Sequence, residues 1–526
     1  MRPILERLGS YLPAAIAVAI PTVFIPNTND EFILPRASIV IIGACLGAGL
    51  ALLTSGGPGL GSLRLPLLAA AAAALLSFVF SVSWPLSLAG AYTRYESLPV
   101  RLSYLTLLAV PVWLLRGERS RTWVVAAFVF GTSIASIEAL MQAAGGVTFR
   151  PDGNLGNANL LGALIAMALP MAVARGLRGD QFLVAWWLGA AVMAGGLYVS
   201  TSRSGMLGAI AGCLALVVFA FKRRVWVLLA VLGSGAIVSA ALWAIVFGPL
   251  GKLNNDPARS RLLLWPDALR MIVARPLTGW GEDGTGLAFG RYISADWAPG
   301  VTYDRTHSGL LETAATQGVI GLAALGWVLI TLFRGIWRYR SSDSVAALGA
   351  ACIGYTVWVA FNFDWAPATG AFWLLAGTAW SGVRAAETGP VASPAATTSS
   401  TSGAVRSVLA VLAALAAIWL GVMPVLAEAW SWQGRSDLAV TVDPLQSHYH
   451  WNLGFSRITS GDVRGGVAEL QRAADLGETE PQLYVDLGDA EMKLNDRAAA
   501  RRAYERALVI DPYFAPARQR LASLGA

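Results

Sequence analysis

The chain has 526 residues, of which 56% are hydrophobic and 13% charged, and a mean hydropathy of +0.57. A soluble domain usually carries about 25% charged residues, so this composition excludes a soluble protein. The net charge of +7 is spread through short loops between apolar runs, where Lys and Arg act as topology signals rather than as a nucleic-acid surface.

A helix needs about 20 mainly apolar residues to cross a bilayer. The apolar runs predict an all-α polytopic fold of about 13 spans, at 11–26, 36–54, 65–83, 98–115, 122–143, 158–175, 182–200, 204–221, 225–248, 309–333, 345–363, 366–384 and 407–427. The N-terminal apolar run lacks a small-residue cleavage site and reads as an uncleaved first helix. Arg2 and Arg7 ahead of it predict a cytoplasmic N-terminus, and alternation then places the basic clusters 116–121, 174–180, 222–224 and 334–340 on the cytoplasmic side. Cys45, Cys213 and Cys352 all lie inside apolar runs and read as small buried hydrophobes.

This division predicts a membrane catalytic domain over 1–385 with a long extracytoplasmic loop at 249–308. A cytoplasmic low-complexity linker follows at 386–406, then a last span at 407–428 and an extracytoplasmic domain at 429–526. The tail repeats with a period of 34 residues. Tyr484, Leu487, Gly488, Ala500, Tyr504, Ala507 and Pro512 mark one unit, and Leu453, Gly454, Gly466, Leu470 and Ala473 mark the preceding one. This pattern resembles the tetratricopeptide repeat, a stack of helix pairs with a concave face suited to a protein partner.

The outer loops hold the polar residues of interest. His307 is the only histidine before the tail and precedes a span. At a helix N-terminus the dipole disfavours its cationic form, and a neutral imidazole can act as a general base; a plain interfacial cap is the bland alternative. Residues 260–281 read as an amphipathic surface helix with Pro266 in its first turn, an apolar face of Leu269, Ile272 and Val273, and an end at the Arg275–Pro276 step. Asn157 or Asn159 suits an N-cap. Arg94, Arg150, Arg203, Arg259, Arg261, Arg291 and Arg305 all fall on the outer side, against the usual charge bias. Guanidinium forks suit phosphate oxygens, although lipid headgroups and snorkelling account for single cases. Asp304 or Glu312 is placed to orient His307, and Glu312 at a helix start is also an ordinary dipole partner.

Several motifs follow one another in a fixed order: N-x-G-N-x-N at 154–159, Ser202–Arg203, Arg261 with Trp265 before P-L-x-G-x-G at 276–281, and H-S-x-x-L-E-x-x-x-x-x-G at 307–318. In that order the chain resembles the O-antigen ligase and O-antigen polymerase superfamily, which includes bacterial O-linked protein oligosaccharyltransferases, over roughly residues 20–385. The resemblance implies an integral-membrane glycosyltransferase; the lack of a metal-type carboxylate cluster on the outer face predicts metal independence, a single displacement predicts inversion, and no cofactor is expected. Its donor is a glycan on undecaprenyl diphosphate at the outer face of the bacterial inner membrane. Its acceptor is a glycan, lipid or protein hydroxyl: a lipid A core sugar for a ligase of lipopolysaccharide, another lipid-linked unit for a polymerase, a Ser or Thr for protein glycosylation. It carries the essential histidine onto His307 and the two diphosphate arginines onto Arg203 and Arg261; the reading of the outer loops adds Arg94, Arg259, Asp304, Arg305 and Glu312 as supporting residues. Ser308, where many members have asparagine, and Arg275 before Pro276, where histidine is common, depart from the pattern. The rival from another class is a transporter or flippase of an anionic lipid-linked glycan, disfavoured because the membrane part shows no internal repeat.

Overall fold

The computed structural model describes residues 2–54, 59–179, 181–220, 258–297, 299–389 and 403–525, with no side chains described over 258–262. The described residues form helices and no strands. Among them, nine helices are long and apolar enough to cross a membrane, from Pro3–Thr22 to Gly403–Trp432, and Leu98–Leu114 and Arg203–Phe219 are shorter apolar helices. Ala366–Thr388 is less apolar because Thr, Ser and Gly punctuate it, yet nearly its whole length is buried, so it forms the centre of the bundle. Twelve of the 13 expected spans thus coincide with helices. The expected span at 225–248 lies outside the described residues.

Small residues set the helix contacts. Asp343–Ala360 packs on Arg203–Ala220, which packs on Ala158–Arg178. A Cβ on Gly205 would lie 2.6 Å from the Gly162 Cα, and one on Gly354 would lie 2.4 Å from the Ala166 carbonyl oxygen. Such close backbone approach replaces the hydrophobic drive that is missing between helices in lipid. Arg36, fully buried, donates to three carbonyls: Ile20 at 2.8 Å, Phe32 at 2.7 Å and Asn154 at 2.8 Å. It thereby fixes the 150–157 turn against the first two helices.

The helix expected to run without interruption from 309 is broken. Gly318 has φ 66° and ψ −168°, a conformation close to exclusive to glycine. The break admits the Pro276–Gly281 loop, whose backbone exchanges hydrogen bonds with both halves: Trp280 N–H to Ala315 O at 2.9 Å, Gly281 N–H to Thr316 O at 3.0 Å, and Val319 N–H to Pro276 O at 2.7 Å. The glycines of P-L-x-G-x-G and the last glycine of the histidine motif are therefore two sides of one backbone clip. A Cβ on Gly279 would lie 2.3 Å from Thr316 O, and one on Gly318 2.2 Å from Leu277 O.

The surface helix runs from Ala258 to Ala274 and ends before Arg275–Pro276 as expected. Pro266 lies in its interior rather than its first turn, because the helix starts eight residues earlier. Its protein-facing side is Leu264, Asp267, Ala268 and Met271, while Leu269 and Val273 of the expected apolar face are exposed. The helix therefore has two apolar sides, one packed on Trp280 and Phe289 and one exposed.

After the last membrane helix the chain turns at 433–435 into six helices. Those beginning at Ser447, Pro481 and Ala515 start 34 residues apart, with Tyr484, Ala500, Tyr504 and Ala507 in the core between them. This tail is docked on the membrane part. Leu86, Ala91 and Leu287 share its core, and Glu428 accepts from the Asn29 and Asp30 amides at 2.7 and 3.1 Å and from the Tyr92 and Tyr449 hydroxyls, each at 3.1 Å.

Candidate active site

Three chain segments meet at one end of the bundle around a cavity of about 100 Å³ lined by Asn157, Asn159, Leu160, His307, Trp358, Asn362, Phe363 and Trp365. Asn157 is the N-cap of Ala158–Arg178, its side chain accepting from the Asn159 amide at 2.8 Å. Asn159 Oδ1 accepts from the Ser202 hydroxyl at 3.1 Å and from Arg150 at 3.2 Å. Arg150 also donates to Ser200 O at 3.0 Å, so it fastens the 150–159 turn to the Ser200–Arg203 turn. Arg203 opens its helix, half-buried, beside Ser202.

His307 sits two residues before Gly309–Arg338, with φ 53°, a left-handed conformation unusual outside glycine. Its neighbours hold it there. Glu312 Oε2 accepts from the Thr306 amide at 2.8 Å and the Thr306 hydroxyl at 2.9 Å, while Oε1 accepts from Thr285 at 3.0 Å. Glu312 thus fixes the backbone before the histidine. Trp265 donates its indole N–H to Thr306 O at 3.1 Å, joining the surface helix to the same loop. Arg261 lies one helical turn before Trp265 and Arg259 at the helix start; both side chains lie outside the described residues. The His307 ring meets Phe363 edge-on at 5.3 Å between centroids.

Of the remaining residues singled out from the sequence, Arg94 and Asp304 are half-buried, Arg305 is buried and Arg291 is exposed. Arg94 pairs with Asp304, so Asp304 faces a guanidinium. Arg305, 3% exposed, donates to Asp364 O at 2.9 Å, lies 3.7 Å from Asp283, and stacks 4.4 Å from the Phe363 centroid. Arg94 and Arg305 thus face carboxylate or carbonyl partners, and neither lines the cavity.

Sequence reading missed an adjoining polar network. Arg101 bridges Asp364 at 2.7 Å and Glu282 at 3.3 Å, and Gln317 donates to Glu282 at 2.6 Å. Glu96 accepts from Tyr104 at 2.7 Å. Burial pushes the Glu96 carboxyl up to about 8 against the opposing pull of Arg101, and raises Glu282 as well. The available signal was polar residues at span edges: Glu96 and Arg101 flank Leu98, and Asn362 and Asp364 separate two apolar runs. Among the described residues no group of three or more His, Cys, Asp or Glu side chains is placed to hold a metal ion.

Helices of this length and apolarity, with their polar turns gathered at one end, define a multi-pass membrane protein. Residues 188–326 match the O-antigen ligase family model, so this segment is similar to that superfamily of membrane glycan-transferring proteins. The matched segment contains Arg203, Arg261, the backbone clip and His307. No curated protein matches the chain.

Proposed function

We propose that the protein transfers a glycan from undecaprenyl diphosphate to an acceptor hydroxyl at the outer face of the cytoplasmic membrane, in the manner of an O-antigen ligase. The observation that supports this reading is that His307 and the Asn157–Asn159 turn line one cavity, with the Ser202–Arg203 turn bonded to Asn159 and the Arg261 helix joined to the histidine loop through Trp265. His307 takes the acceptor proton. The freed oxygen attacks the anomeric carbon, the bond from that carbon to the diphosphate breaks, and undecaprenyl diphosphate departs with the bonding pair. Arg203 and Arg261 hold the diphosphate. Fixed guanidinium charge lowers the cost of the leaving anion, so neither a metal nor a general acid is required. A single displacement inverts the anomeric centre. Glu312 serves as a positioning residue through Thr306.

In this reading the N-terminus is cytoplasmic and the tail extracytoplasmic. The tail is tetratricopeptide-like and recruits the acceptor or a partner protein. Polymerase and protein-glycosylating activities differ only in the acceptor.

The test is transfer by purified protein from a lipid-linked oligosaccharide to lipid A core, lipid-linked and peptide acceptors. His307→Ala should lower turnover roughly 100- to 10,000-fold, the span of general-base contributions, and Arg261→Ala should weaken donor use. Undiminished turnover in His307→Ala sinks the site; a retained anomeric configuration sinks the single displacement.

A further inference from the structure

At the end of the bundle opposite His307 lies a larger pocket, of about 620 Å³, that the glycan-transfer reading does not use. Three helices join the two places. Ala158–Arg178 and Gly309–Arg338 begin beside the candidate site and end at this pocket, and Asp343–Ala360 runs back. The first has 21 residues and at about 1.5 Å per residue sets the two about 30 Å apart, the thickness of a bilayer core. Trp123, Trp187 and Trp337 are exposed at the same end, as aromatic residues are at headgroup level.

The lining changes with depth. Glu118, Arg178, Arg338 and Asp343 line the pocket from the terminal residues of their helices, with Arg340 just beyond one of them. Val125, Ala174 and Ala347 line it from one or two turns deeper, and Leu216 and Phe219 add to the apolar part. Among the described lining, Arg175 is the one charge at that depth, its guanidinium 5.5 Å from the Trp186 ring centroid. The charges do not balance. Among the described residues the lining holds four arginines, at 175, 178, 338 and 340, against two carboxylates. Asp343 pairs with Arg178, and Glu118 pairs at 3.0 Å with Arg121, which does not line the pocket. Arg338 stacks on Tyr339, and Arg340 on Trp337, whose carbonyl it also bonds. No carboxylate of the described residues pairs with either.

We infer that this pocket holds the headgroup of an anionic glycerophospholipid from the leaflet opposite the candidate active site, with its phosphodiester on Arg338 and Arg340 and its glycerol ester region on the apolar floor. Guanidinium forks match phosphate oxygens, and basic pockets between membrane helices take anionic headgroups. A choline or ethanolamine headgroup brings its own cation beside the arginines and fits less well. A soluble phosphate would use the rim and leave the apolar floor bare. Lipid binding here is independent of the reaction at His307.

Thermal melting of the full-length protein in a neutral maltoside detergent, titrated with dioleoyl phosphatidylglycerol, should show saturable stabilisation, because a ligand of the folded state raises the melting temperature. Dioleoyl phosphatidylcholine over the same range should not. Arg338→Gln and Arg340→Gln should each raise the half-saturating concentration roughly fivefold, one arginine's share at an anionic lipid, and the double variant roughly 25-fold. Arg119 and Arg334 are exposed at the same end but do not line the pocket, so Arg119→Gln with Arg334→Gln should leave it unchanged. The comparison of the two lipids uses the unaltered chain, so it stands even where a variant fails to fold. His307→Ala should respond to the lipid as the wild type does, so failure of the chemistry and failure of the lipid site are distinguishable. Equal stabilisation by phosphatidylcholine, or none by phosphatidylglycerol, overturns the inference. So does equal weakening in the Arg119 and Arg334 control, which would mean diffuse surface attraction. Inorganic phosphate or glycerophosphoglycerol matching the lipid at equal concentration overturns the lipid as occupant.

Discussion

Replacing Gly318 with alanine tests whether the backbone clip holds the candidate site together. At φ 66° and ψ −168° an L residue is strained by about 1–3 kcal/mol. The new Cβ would meet Leu277 O at 2.2 Å and Leu277 C at 2.3 Å, backbone atoms that cannot turn aside as a side chain can. Relief requires the Pro276–Gly281 loop to withdraw, giving up the bonds from Trp280, Gly281 and Val319 at about 0.5–1.5 kcal/mol each. The total is about 2.5–7.5 kcal/mol, or about two to five powers of ten in the clipped population at 1.36 kcal/mol per tenfold. Gly326, on the same helix, has nothing within 4 Å of the place a Cβ would take. It is the internal control, where alanine should be neutral or gain up to about 1 kcal/mol. Thermal melting in detergent and glycan transfer should both fall in Gly318→Ala and hold in Gly326→Ala. Equal behaviour of the two variants would refute the clip.

Two further outcomes follow from buried carboxylates. Glu428→Ala removes the common acceptor of two amides and two tyrosines, and at about 1.5–3 kcal/mol per bond to a charged group it should release the tail, seen as faster proteolysis after residue 433; unchanged cleavage would show the apolar contacts suffice. Glu96, with its folded-state value raised to about 8 from an ordinary 4.5, binds its proton more tightly in the native state. Its stabilising share is complete below about 4.5 and is lost as pH rises through about 8. Glu96→Gln should therefore flatten the decline of melting temperature across that window, and an identical profile in the variant would place the pH dependence elsewhere.

Spans were legible because a long apolar run decides its own environment whatever it later packs against. The Gly318 break was not, since Gln317–Gly318–Val319 sits inside an otherwise continuous run and the inserted loop comes from 276–281. The motif order pointed to His307 and Arg203 because each marks a turn, a local property. Arg101, Glu282 and Asp364 join only through the fold, from partners 181 and 263 residues away. The surface helix was read from its exposed face because periodicity reports an apolar stripe without saying whether protein or lipid covers it.

The docking of the tail carries a consequence for biosynthesis. Gly290 lies so close to the end of a tail helix that a Cβ there would sit 2.1 Å from Ile510 O, and Gly286 faces Thr479 in the same way. The loop that carries Glu282 and Thr285 therefore acquires its covering layer from residues that follow the histidine motif in the chain, Thr479 and Ile510 among them. Chains emerge N-terminus first, so a nascent chain that has not yet reached residue 510 holds the histidine motif with this loop still bare.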